Sequence, residues 1–333
     1  MPTPAAPDVS PFANRLAKNL AHWKKWARRR GISCFRVYDR DVPQFPFAID
    51  WFQTVAPRDE VHLHVQEYDT GWKLEDAEYT AWMIAICDAI CAVSGITVEQ
   101  LHLKRRERQR GVSQYEKLEA QAATFEVDEA GHRFEVNFDA YLDTGLFLDH
   151  RQTRGLVAAS IATRAESGAR FLNLFAYTGS FSVYAACAGA AASTTVDLSN
   201  TYQAWTERNF RLNRIDPARH ALERADVTTW LSEAVVRKRT FDVIVLDPPS
   251  FSNSKKMLGF LDVQRDHELL IRQCHSLLSE GGELFFSSNL RSFAMDPAFQ
   301  QRFALREITA QTVPEDFRRG SHPPPHRAWY GRK

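Results

Sequence analysis

The chain has 333 residues and a mass of 38.1 kDa, long enough for about two domains of average size. Hydrophobic residues form 44% of it and charged residues 25%, a composition that excludes a disordered or fibrous protein. With 42 basic and 41 acidic residues the formal charge is +1, so only local clusters of charge can indicate a partner.

The first segment of the chain combines a polar start with a strongly basic helix. Residues 1–11 carry no basic stretch followed by an apolar one, so we expect a disordered N-terminus and a cytoplasmic protein without a membrane anchor. Apolar residues recur at spacings of three and four from Leu16 to Ala27, which predicts a helix ended by Gly31. This helix has no acidic residue between Phe12 and Arg30. Its seven basic residues are Arg15, Lys18, Lys24, Lys25, Arg28, Arg29 and Arg30.

A second basic cluster follows later in the same half of the chain. Two such clusters favour binding to the phosphates of a nucleic acid, because counterion release gives Lys and Arg patches their affinity. A solvated helix face is the alternative interpretation of the first cluster. The second cluster, which contains Glu107 as its only acidic residue, consists of Lys104, Arg105, Arg106, Arg108 and Arg110.

Short apolar runs between these clusters, separated by proline and aspartate, predict a small antiparallel sheet. A helix is expected from Glu75 to Val93, and a hairpin is expected to turn at Glu129 to Gly131. We therefore expect residues 12–130 to form an α+β domain that binds RNA. The predicted strands are Cys34–Tyr38, Phe47–Phe52 and Val61–Tyr68, with Thr124–Val127 and Arg133–Asn137 in the hairpin.

After Gly168 the pattern changes to strands that alternate with helices. This alternation predicts a doubly wound, Rossmann-like α/β domain, which we place at residues 131–333. The predicted strands are Phe171–Phe175, Thr194–Asp197, Phe241–Asp247 and Glu283–Ser288. The predicted helices are Phe181–Ala188, Thr201–Asn213, Val227–Val236 and Val263–Leu278.

Polar residues at the ends of the predicted strands indicate a cofactor site. The turn from Asn173 to Ser180 has one glycine, Gly179, and therefore lacks the GxGxxG pattern of dinucleotide enzymes. A single glycine suits a ligand without a diphosphate, such as S-adenosylmethionine. Asp197 ends the second strand, where a carboxylate can accept hydrogen bonds from ribose hydroxyls. Asp226 follows a third, weak strand and can accept one from the adenine amino group.

Each of these acids has an ordinary structural alternative, because aspartate at a strand end is also a favoured helix cap or turn residue. Their occurrence at successive strand ends, with Asp247-Pro248-Pro249 after the fourth strand, is more specific than any one of them. The combination predicts a methyltransferase domain.

Several strings of residues closely resemble one family, the RlmK-type 23S rRNA guanine-N7 methyltransferases, which also form the C-terminal half of the bifunctional RlmKL enzymes. The resemblance extends from about Phe12 to the end, without the guanine-N2 methyltransferase half, so we expect a stand-alone version. The strings are Asn14-Arg15-Leu16 with Lys18-Asn19, Cys34 to Asp39, Gln66-Glu67-Tyr68, Tyr141 to Arg151 (YLDTGLFLDHR), Asn173 to Gly179, and Asp247 to Lys255 (DPPSFSNSK).

The resemblance implies S-adenosylmethionine as cofactor and 23S rRNA, or a large-subunit precursor, as partner. It also implies that Asp149 and Arg151 close over the cofactor, although a helix start with a local ion pair is the alternative for these two. Lys255 is expected to contact RNA together with the two basic clusters. The expected cofactor-binding residues are Asp149, Arg151, Asn173, Phe175, Tyr177, Thr178, Gly179, Asp197, Ser199, Asp226 and Asp247.

Guanine N7 already carries a free lone pair at neutral pH, so its methylation needs positioning more than acid–base help. We expect Asp247, stiffened by Pro248 and Pro249, to bind the guanine edge or shape the pocket without taking a proton. Phe251 is expected to stack on an extruded base, with packing under its loop as the alternative.

Other chemistries fit the sequence less well. Cytosine-C5 methyltransferases use a cysteine after the fifth strand, and residues 285–289 contain none. The histidines, cysteines and acids do not follow metal-ligand spacing, so no metal is expected. Two alternatives to N7 stay open: methylation of an exocyclic amine on guanine N2 or adenine N6, because DPPS resembles the motif of amino methyltransferases, and an RNA-binding assembly factor without turnover.

Overall fold

A computed structural model of the chain describes residues 8–69, 75–106, 123–252, 260–318 and 323–333. Lys255 and most of the predicted disordered segment 1–11 lie outside these residues, as does the side chain of Arg106. The chain forms two compact units, one of Met1–Gly131 with Val136–Thr144 and the other of His132–Glu135 with Gly145–Lys333.

The first unit contains a four-stranded sheet in the order β1-β2-β3-β4. Its strands are β1 (Cys34–Asp39), β2 (Phe47–Gln53), β3 (Val61–Tyr68) and β4 (Leu101–Arg106). The three predicted strands are antiparallel as expected, and a fourth strand, β4, which the sequence did not predict, pairs in parallel with β3. The reason is the helix that precedes β4, because a connection through a helix returns the chain in the same direction.

Two helices bury their apolar faces against this sheet. They are α1 (Ser10–Arg30) and α2 (Asp76–Ser94), both close to the predicted bounds. Phe12, Leu16 and Leu20 of α1 share one core with Met83 and Ile86 of α2 and with the inner side chains of the strands. The seven basic residues of α1 all lie on its exposed side.

The α2 helix is long and apolar enough to cross a membrane by length and composition, with a mean hydropathy of 1.3 over its best window. A single helix of this kind is weak evidence for a membrane span, because a helix in the core of a soluble protein can be equally long and apolar. Met83, Ile86 and Ile90 of α2 are buried in the core of the first unit.

Strands β5 (Thr124–Glu129) and β6 (His132–Asn137) form a two-stranded hairpin. Ala130 and Gly131 turn it with φ values of 54° and 83°. The hairpin therefore turns where the sequence predicts.

The second unit is built on a seven-stranded sheet in the order β14-β15-β13-β10-β7-β8-β9. Five neighbouring strands are parallel, and β15 runs antiparallel between β13 and β14. The seven strands of this sheet are β7 (Arg170–Leu174), β8 (Ala192–Asp197), β9 (His220–Arg224), β10 (Phe241–Leu246), β13 (Leu278–Ser288), β14 (Arg306–Glu307) and β15 (Arg327–Arg332). Two further strands, β11 (Phe251–Ser252) and β12 (Leu261–Asp262), form a separate small sheet.

Helices cover both faces of the large sheet, as a doubly wound fold requires. Along β10, Val243 and Val245 join the core on one face, whereas Ile244 and Leu246 join the core on the other. The helices are α3 (Arg151–Ala162), α4 (Ser180–Cys187), α5 (Asn200–Leu212), α6 (Val227–Val236), α7 (Val263–Leu277), α8 (Pro297–Arg302) and α9 (Thr309–Thr312). The strand order reverses between β7 and β10, so ligands are expected beyond the carboxyl ends of these strands.

Candidate functional site

The turn after β7 adopts an unusual backbone conformation. Phe175, Tyr177 and Gly179 have φ values of 56°, 52° and 74°, so three of five successive residues are left-handed. A Cβ atom on Gly179 would lie 2.3 Å from Thr206 Cγ2, which explains why glycine stands there. Non-glycine residues in this conformation are strained and persist only where the surrounding structure holds them in place. They are concentrated at active sites and ligand-binding sites.

The Asp197 carboxylate, at the end of β8, holds this turn. Its Oδ2 accepts a hydrogen bond from the Tyr177 amide (2.9 Å), and its Oδ1 accepts one from the Ser199 amide (2.8 Å). Burial raises the pKa of Asp197 to about 6, against the effect of the backbone donors. A carboxylate oxygen can accept more than one hydrogen bond, so Asp197 keeps acceptor capacity for a ligand.

Asp226, which follows β9, has one occupied and one unoccupied carboxylate oxygen. Its Oδ1 caps α6 by accepting hydrogen bonds from the Thr228 amide (2.9 Å) and hydroxyl (2.8 Å). Its Oδ2 is buried and has no hydrogen-bond partner among the described residues. A buried acceptor without a donor destabilises the folded protein, and a hydrogen bond from a ligand N–H group would remove this penalty. The predicted cap role is thus present, and one oxygen is left over for a ligand.

Three further predicted cofactor residues support the turn from behind. Asn173 is 1% exposed and donates to the Ser182 hydroxyl, and Thr178 is fully buried and donates to the Gly145 carbonyl (2.6 Å). Ser199 caps α5 by accepting from the Tyr202 amide. Because they form hydrogen bonds with the protein itself, these side chains position the backbone around Tyr177 and Asp197.

An aromatic cluster lies beside the same turn. The Tyr177 ring is 4.5 Å from that of Tyr202 and 4.9 Å from that of Phe147, between ring centroids. Phe147 is 39% exposed, so part of this cluster faces solvent. Gly145, with φ 95°, packs so tightly on Trp205 that a Cβ atom would lie 2.2 Å from its ring. The glycine of the YLDTGLFLDHR string therefore permits the close packing of this segment.

Asp149 and Arg151 both bond to the C-terminal part of the unit. Arg151 donates to Asp316 at 2.6 Å, and both side chains are buried. The Asp149 carboxylate lies 3.1 Å from His326 Nδ1. The helix start of the structural alternative is present, since α3 begins at Arg151.

Asp316→Ala is expected to lower the free energy of unfolding by about 3–5 kcal/mol, because it removes the carboxylate that faces a buried guanidinium. The double change Arg151→Met with Asp316→Leu should cost less, since it leaves no buried charge behind. Arg237→Ala, in an exposed pair with Glu233, should cost less than about 0.5 kcal/mol. Urea unfolding measures all three variants, and an equal loss for Asp316→Ala and Arg237→Ala would contradict the prediction.

Asp247 follows β10 directly and opens the Pro248-Pro249 segment. Its Oδ1 accepts a hydrogen bond from the Ser287 hydroxyl (2.5 Å), and its Oδ2 lies 3.8 Å from His150 Nε2. The carboxylate is 27% exposed and thus remains accessible. Asp247 therefore combines fixed orientation with access from solvent, as a residue that contacts a substrate requires.

Phe251 lies just beyond this segment and is 53% exposed. Its ring lies 5.6 Å from that of Phe260, which is 51% exposed, and Arg265 stacks on Phe260 at 4.3 Å. Phe251 is thus half-exposed beside Phe260.

Cysteine nucleophiles do not fit this arrangement. Cys274 lies in the core side of α7, fully buried, and burial raises the pKa of its thiol. The end of β13, which reads Phe285-Phe286-Ser287-Ser288-Asn289, supplies a serine bonded to Asp247 instead.

The two predicted basic clusters of the first unit differ in their surroundings. On α1, Lys24 stacks on Trp51 at 4.7 Å, and among the described residues no acidic group forms an ion pair with Lys25 or Arg28. On β4, the Lys104 ammonium donates to the Asp139 carbonyl, and Arg105 stacks on Tyr79 at 4.9 Å. Among the side chains that the structure describes, all seven of the α1 cluster are exposed, whereas Lys104 is half-buried; Arg108, Arg110 and the side chain of Arg106 lie outside the described part of the chain.

Sequence reasoning assigned no role to several residues around Asp247. His150 stands inside the YLDTGLFLDHR string, so the string itself could have drawn attention to it. Ser287 and His326 carry no comparable signal, because the fold brings them to this place from distant parts of the chain. Ser287 and His150 face the two carboxylate oxygens of Asp247, and His326 stacks on His150.

A model of S-adenosylmethionine-dependent methyltransferases matches residues 70–326. Ribosomal RNA large subunit methyltransferase K of Neisseria meningitidis serogroup B is 54% identical over 97% of this chain and 87% of that protein. Ribosomal RNA large subunit methyltransferase K/L of Hahella chejuensis is 45% identical over 96% of this chain, which spans 42% of the K/L protein.

Among solved structures, an S-adenosylmethionine-dependent methyltransferase from Streptococcus mutans has a TM-score of 0.73 at 25% identity and covers 100% of this chain and 83% of its own. A methyltransferase solved with SAH (S-adenosylhomocysteine) has the same TM-score and coverage at 24% identity. The predicted Rossmann-like fold and the predicted cofactor, S-adenosylmethionine, are therefore confirmed. The chain belongs to the S-adenosylmethionine-dependent methyltransferases, and among them to the family of ribosomal RNA large subunit methyltransferase K.

Proposed function

We propose that this protein methylates N7 of a guanine in 23S rRNA, or in a precursor of the large ribosomal subunit, in the cytoplasm. The observation that carries the proposal is the 54% identity to ribosomal RNA large subunit methyltransferase K over 97% of the chain. The strand-end carboxylates Asp197, Asp226 and Asp247 supply the matching chemistry in the second unit.

The residues at the strand ends fit S-adenosylmethionine, which supplies a methyl group activated on a sulfonium. The buried Asp226 Oδ2, without a donor among the described residues, would accept from the adenine amino group. Asp197 would accept from the ribose hydroxyls while it holds the turn at Tyr177. Gly179 keeps the turn close to α5, and the exposed part of Phe147 lies beside Tyr177, where it would cover the cofactor together with Asp149 and Arg151.

Asp247 suits guanine better than adenine. The Watson–Crick edge of guanine presents two donors side by side, N1–H and N2–H, which the two oxygens of one carboxylate can accept together. Binding this edge leaves N7 on the other side of the base free to attack the methyl group. No proton has to leave N7, so Asp247 needs to orient the base and has no need to act as a general base.

The target base has to leave its helix to reach such a pocket. The half-exposed side chain of Phe251 offers a surface on which this base can stack. Pro248 and Pro249 restrict the backbone between Asp247 and Phe251, so the two residues keep a defined spacing.

Nucleoside mass spectrometry of 23S rRNA from cells with and without the protein tests the proposal, with the position mapped by borohydride–aniline cleavage. We expect the loss of one 7-methylguanosine. Loss of N2-methylguanosine or N6-methyladenosine instead would move the reaction to an exocyclic amine. An unchanged nucleoside profile, with no micromolar binding of S-adenosylmethionine, would favour the assembly factor.

The pKa of Asp197, about 6, predicts that cofactor affinity depends on pH. Only the ionised carboxylate accepts from both ribose hydroxyls, so affinity should fall as the pH drops through 6. About nine tenths of the side chain is ionised at pH 7 and about one tenth at pH 5, which predicts a Kd about tenfold higher at pH 5. Calorimetric titration at both values measures this change. The Asp197→Asn side chain cannot ionise, so the Kd of this variant should be the same at both pH values. An equal tenfold change in the Kd of this variant would contradict the assignment.

A further inference from the structure

Two buried histidines stack on each other next to Asp247. The rings of His150 and His326 are 4.1 Å apart between centroids and 14° from parallel, and they are 6% and 1% exposed. His326 lies 3.1 Å from Asp149 through Nδ1 and 3.1 Å from Thr312 Oγ1 through Nε2. Asp149 and Thr312 thereby fix the His326 ring in its plane, and the stacking fixes the plane of His150.

Asp149, His150 and His326 offer ligand atoms within 4.8 Å of one another, a distance that would allow a metal ion. The ring geometry argues against one. Imidazole nitrogens bind metals in the plane of the ring, and two stacked rings only 14° from parallel, with centroids 4.1 Å apart, do not direct their nitrogens in-plane toward a common point. The two hydrogen bonds of His326 also occupy both of its nitrogens. The cluster is therefore an arrangement of side chains that orient one another.

The surroundings of His150 define its protonation. Burial, and the neighbouring His326, lower the pKa of His150, so the ring is neutral at pH 7. Its Nε2 faces Asp247 Oδ2 at 3.8 Å, and its Nδ1 is buried without a hydrogen-bond partner among the described residues. A proton on Nδ1 would leave a buried donor unsatisfied and turn two lone pairs toward each other. A proton on Nε2 removes this repulsion and points at Asp247, and Nδ1 is then a buried acceptor without a donor among the described residues.

We propose that His150 is a positioning residue, which holds the Asp247 carboxylate in the orientation that receives the substrate base. This inference rests on the proposed function. Ser287 donates to Oδ1 and His150 directs its Nε2–H toward Oδ2, so the two donors together define the plane of the carboxylate. The present 3.8 Å separation is longer than a hydrogen bond, and such contacts tighten when the substrate complex forms.

The stacked pair also explains why the carboxylate keeps this orientation. A free carboxylate rotates about its Cβ–Cγ bond, and each orientation presents its oxygens to a base at a different angle. His150 cannot rotate, because His326 covers one face of its ring and Phe181 packs edge-on at 5.8 Å between centroids. Rigidity thus passes from Asp149 through His326 and His150 to Asp247.

His150→Phe tests the proposal, because phenylalanine keeps the ring and its stacking but removes both nitrogens. The free energy of unfolding should not decrease, because the substitution also removes Nδ1, a buried polar atom without a hydrogen-bond partner among the described residues. We expect kcat for methyl transfer to 23S rRNA to fall between about 10- and 100-fold, as for a reacting group misplaced by about 1 Å. KM for RNA and the Kd for S-adenosylmethionine should stay within about twofold, because His150 affects orientation in the transition state.

His267→Phe is the matched control. His267 is also buried in the second unit, has an Nε2 without a hydrogen-bond partner among the described residues, and packs on Phe286 and Phe293. It lies at the start of α7, and its Nδ1 contacts the carbonyl groups of Val263 and Gln264. Its variant should keep the wild-type kcat. His150→Gln can place an N–H donor near the position of Nε2 and should recover part of the loss.

A nitrogen–proton correlation spectrum of the imidazole groups gives a second readout. We expect the Nε2–H tautomer for His150, with signals identified by their absence from His150→Phe, and a shift of these signals in Asp247→Asn. An Nδ1–H tautomer, or an unchanged kcat in His150→Phe, would overturn the inference. A wild-type protein that transfers no methyl group to RNA would instead contradict the proposed function.

Discussion

Asp197→Ala is expected to bind S-adenosylmethionine at least about 100-fold more weakly than the wild-type protein. Hydrogen bonds to a charged group contribute about 1.5–3 kcal/mol each, so the loss of two bonds to ribose hydroxyls raises the Kd by about two orders of magnitude or more. The substitution also removes the acceptor of the Tyr177 and Ser199 amides. The turn after β7 would then lose the contact that keeps Tyr177 in its left-handed conformation.

Calorimetric titration of the purified protein with S-adenosylmethionine measures this effect. Asp216→Ala is the matched control, because Asp216 also accepts from a backbone amide, that of Ala218, but precedes β9 at the opposite end of the strands. This control should keep the wild-type affinity. A Kd for Asp197→Ala within about threefold of wild type would remove the ribose assignment and leave Asp197 as a residue of the turn.

The parallel part of the large sheet was predictable because buried parallel strands are continuous apolar runs. The predicted strand at Phe241–Asp247 differs from β10 by one residue, and the predicted helix at Val227–Val236 matches α6. The strand ends follow from these runs, which is why Asp197, Asp226 and Asp247 could be placed at the edge of the sheet.

The additions at the other edge of this sheet were not predictable in the same way. The β14 strand has two residues, and α8 and α9 have six and four, too few for a periodic pattern to develop. The parallel pairing of β4 with β3 also depends on the path of the chain through α2, whereas apolar alternation alone does not distinguish the two strand directions.

The contacts of Asp149 and Arg151 show a second limit. His326 lies 177 positions from Asp149, and Asp316 lies 165 positions from Arg151. Contacts at such separations depend on the folded topology, which no local spacing records. Buried support residues present a related difficulty, because a strand-end asparagine such as Asn173 looks the same in sequence whether it contacts a ligand or Ser182.

Replacing five basic residues of α1 by glutamine is expected to weaken RNA binding strongly. The changes are Lys24→Gln, Lys25→Gln, Arg28→Gln, Arg29→Gln and Arg30→Gln. Each phosphate contact contributes about 0.7 to the slope of log affinity against log salt for a single strand, so the slope should fall by up to about 3.5. Stability should change little, because these side chains are exposed and the stacking of Lys24 on Trp51 is worth about 1 kcal/mol.

Binding of the full-length protein to a fragment of 23S rRNA, measured at several salt concentrations, separates the possible roles of α1. A control with the same loss of charge replaces five exposed basic residues at the amino ends of the strands in the second unit, namely Arg211, Arg214, Arg219, Arg237 and Lys238. If α1 binds phosphates, the slope of log affinity against log salt concentration should decrease only in the α1 variant. Equal losses in both variants would mean that the overall charge of the protein attracts RNA. An unchanged slope in the α1 variant would make its basic side a solvated helix face, since neutralised phosphate contacts cannot leave the salt dependence intact.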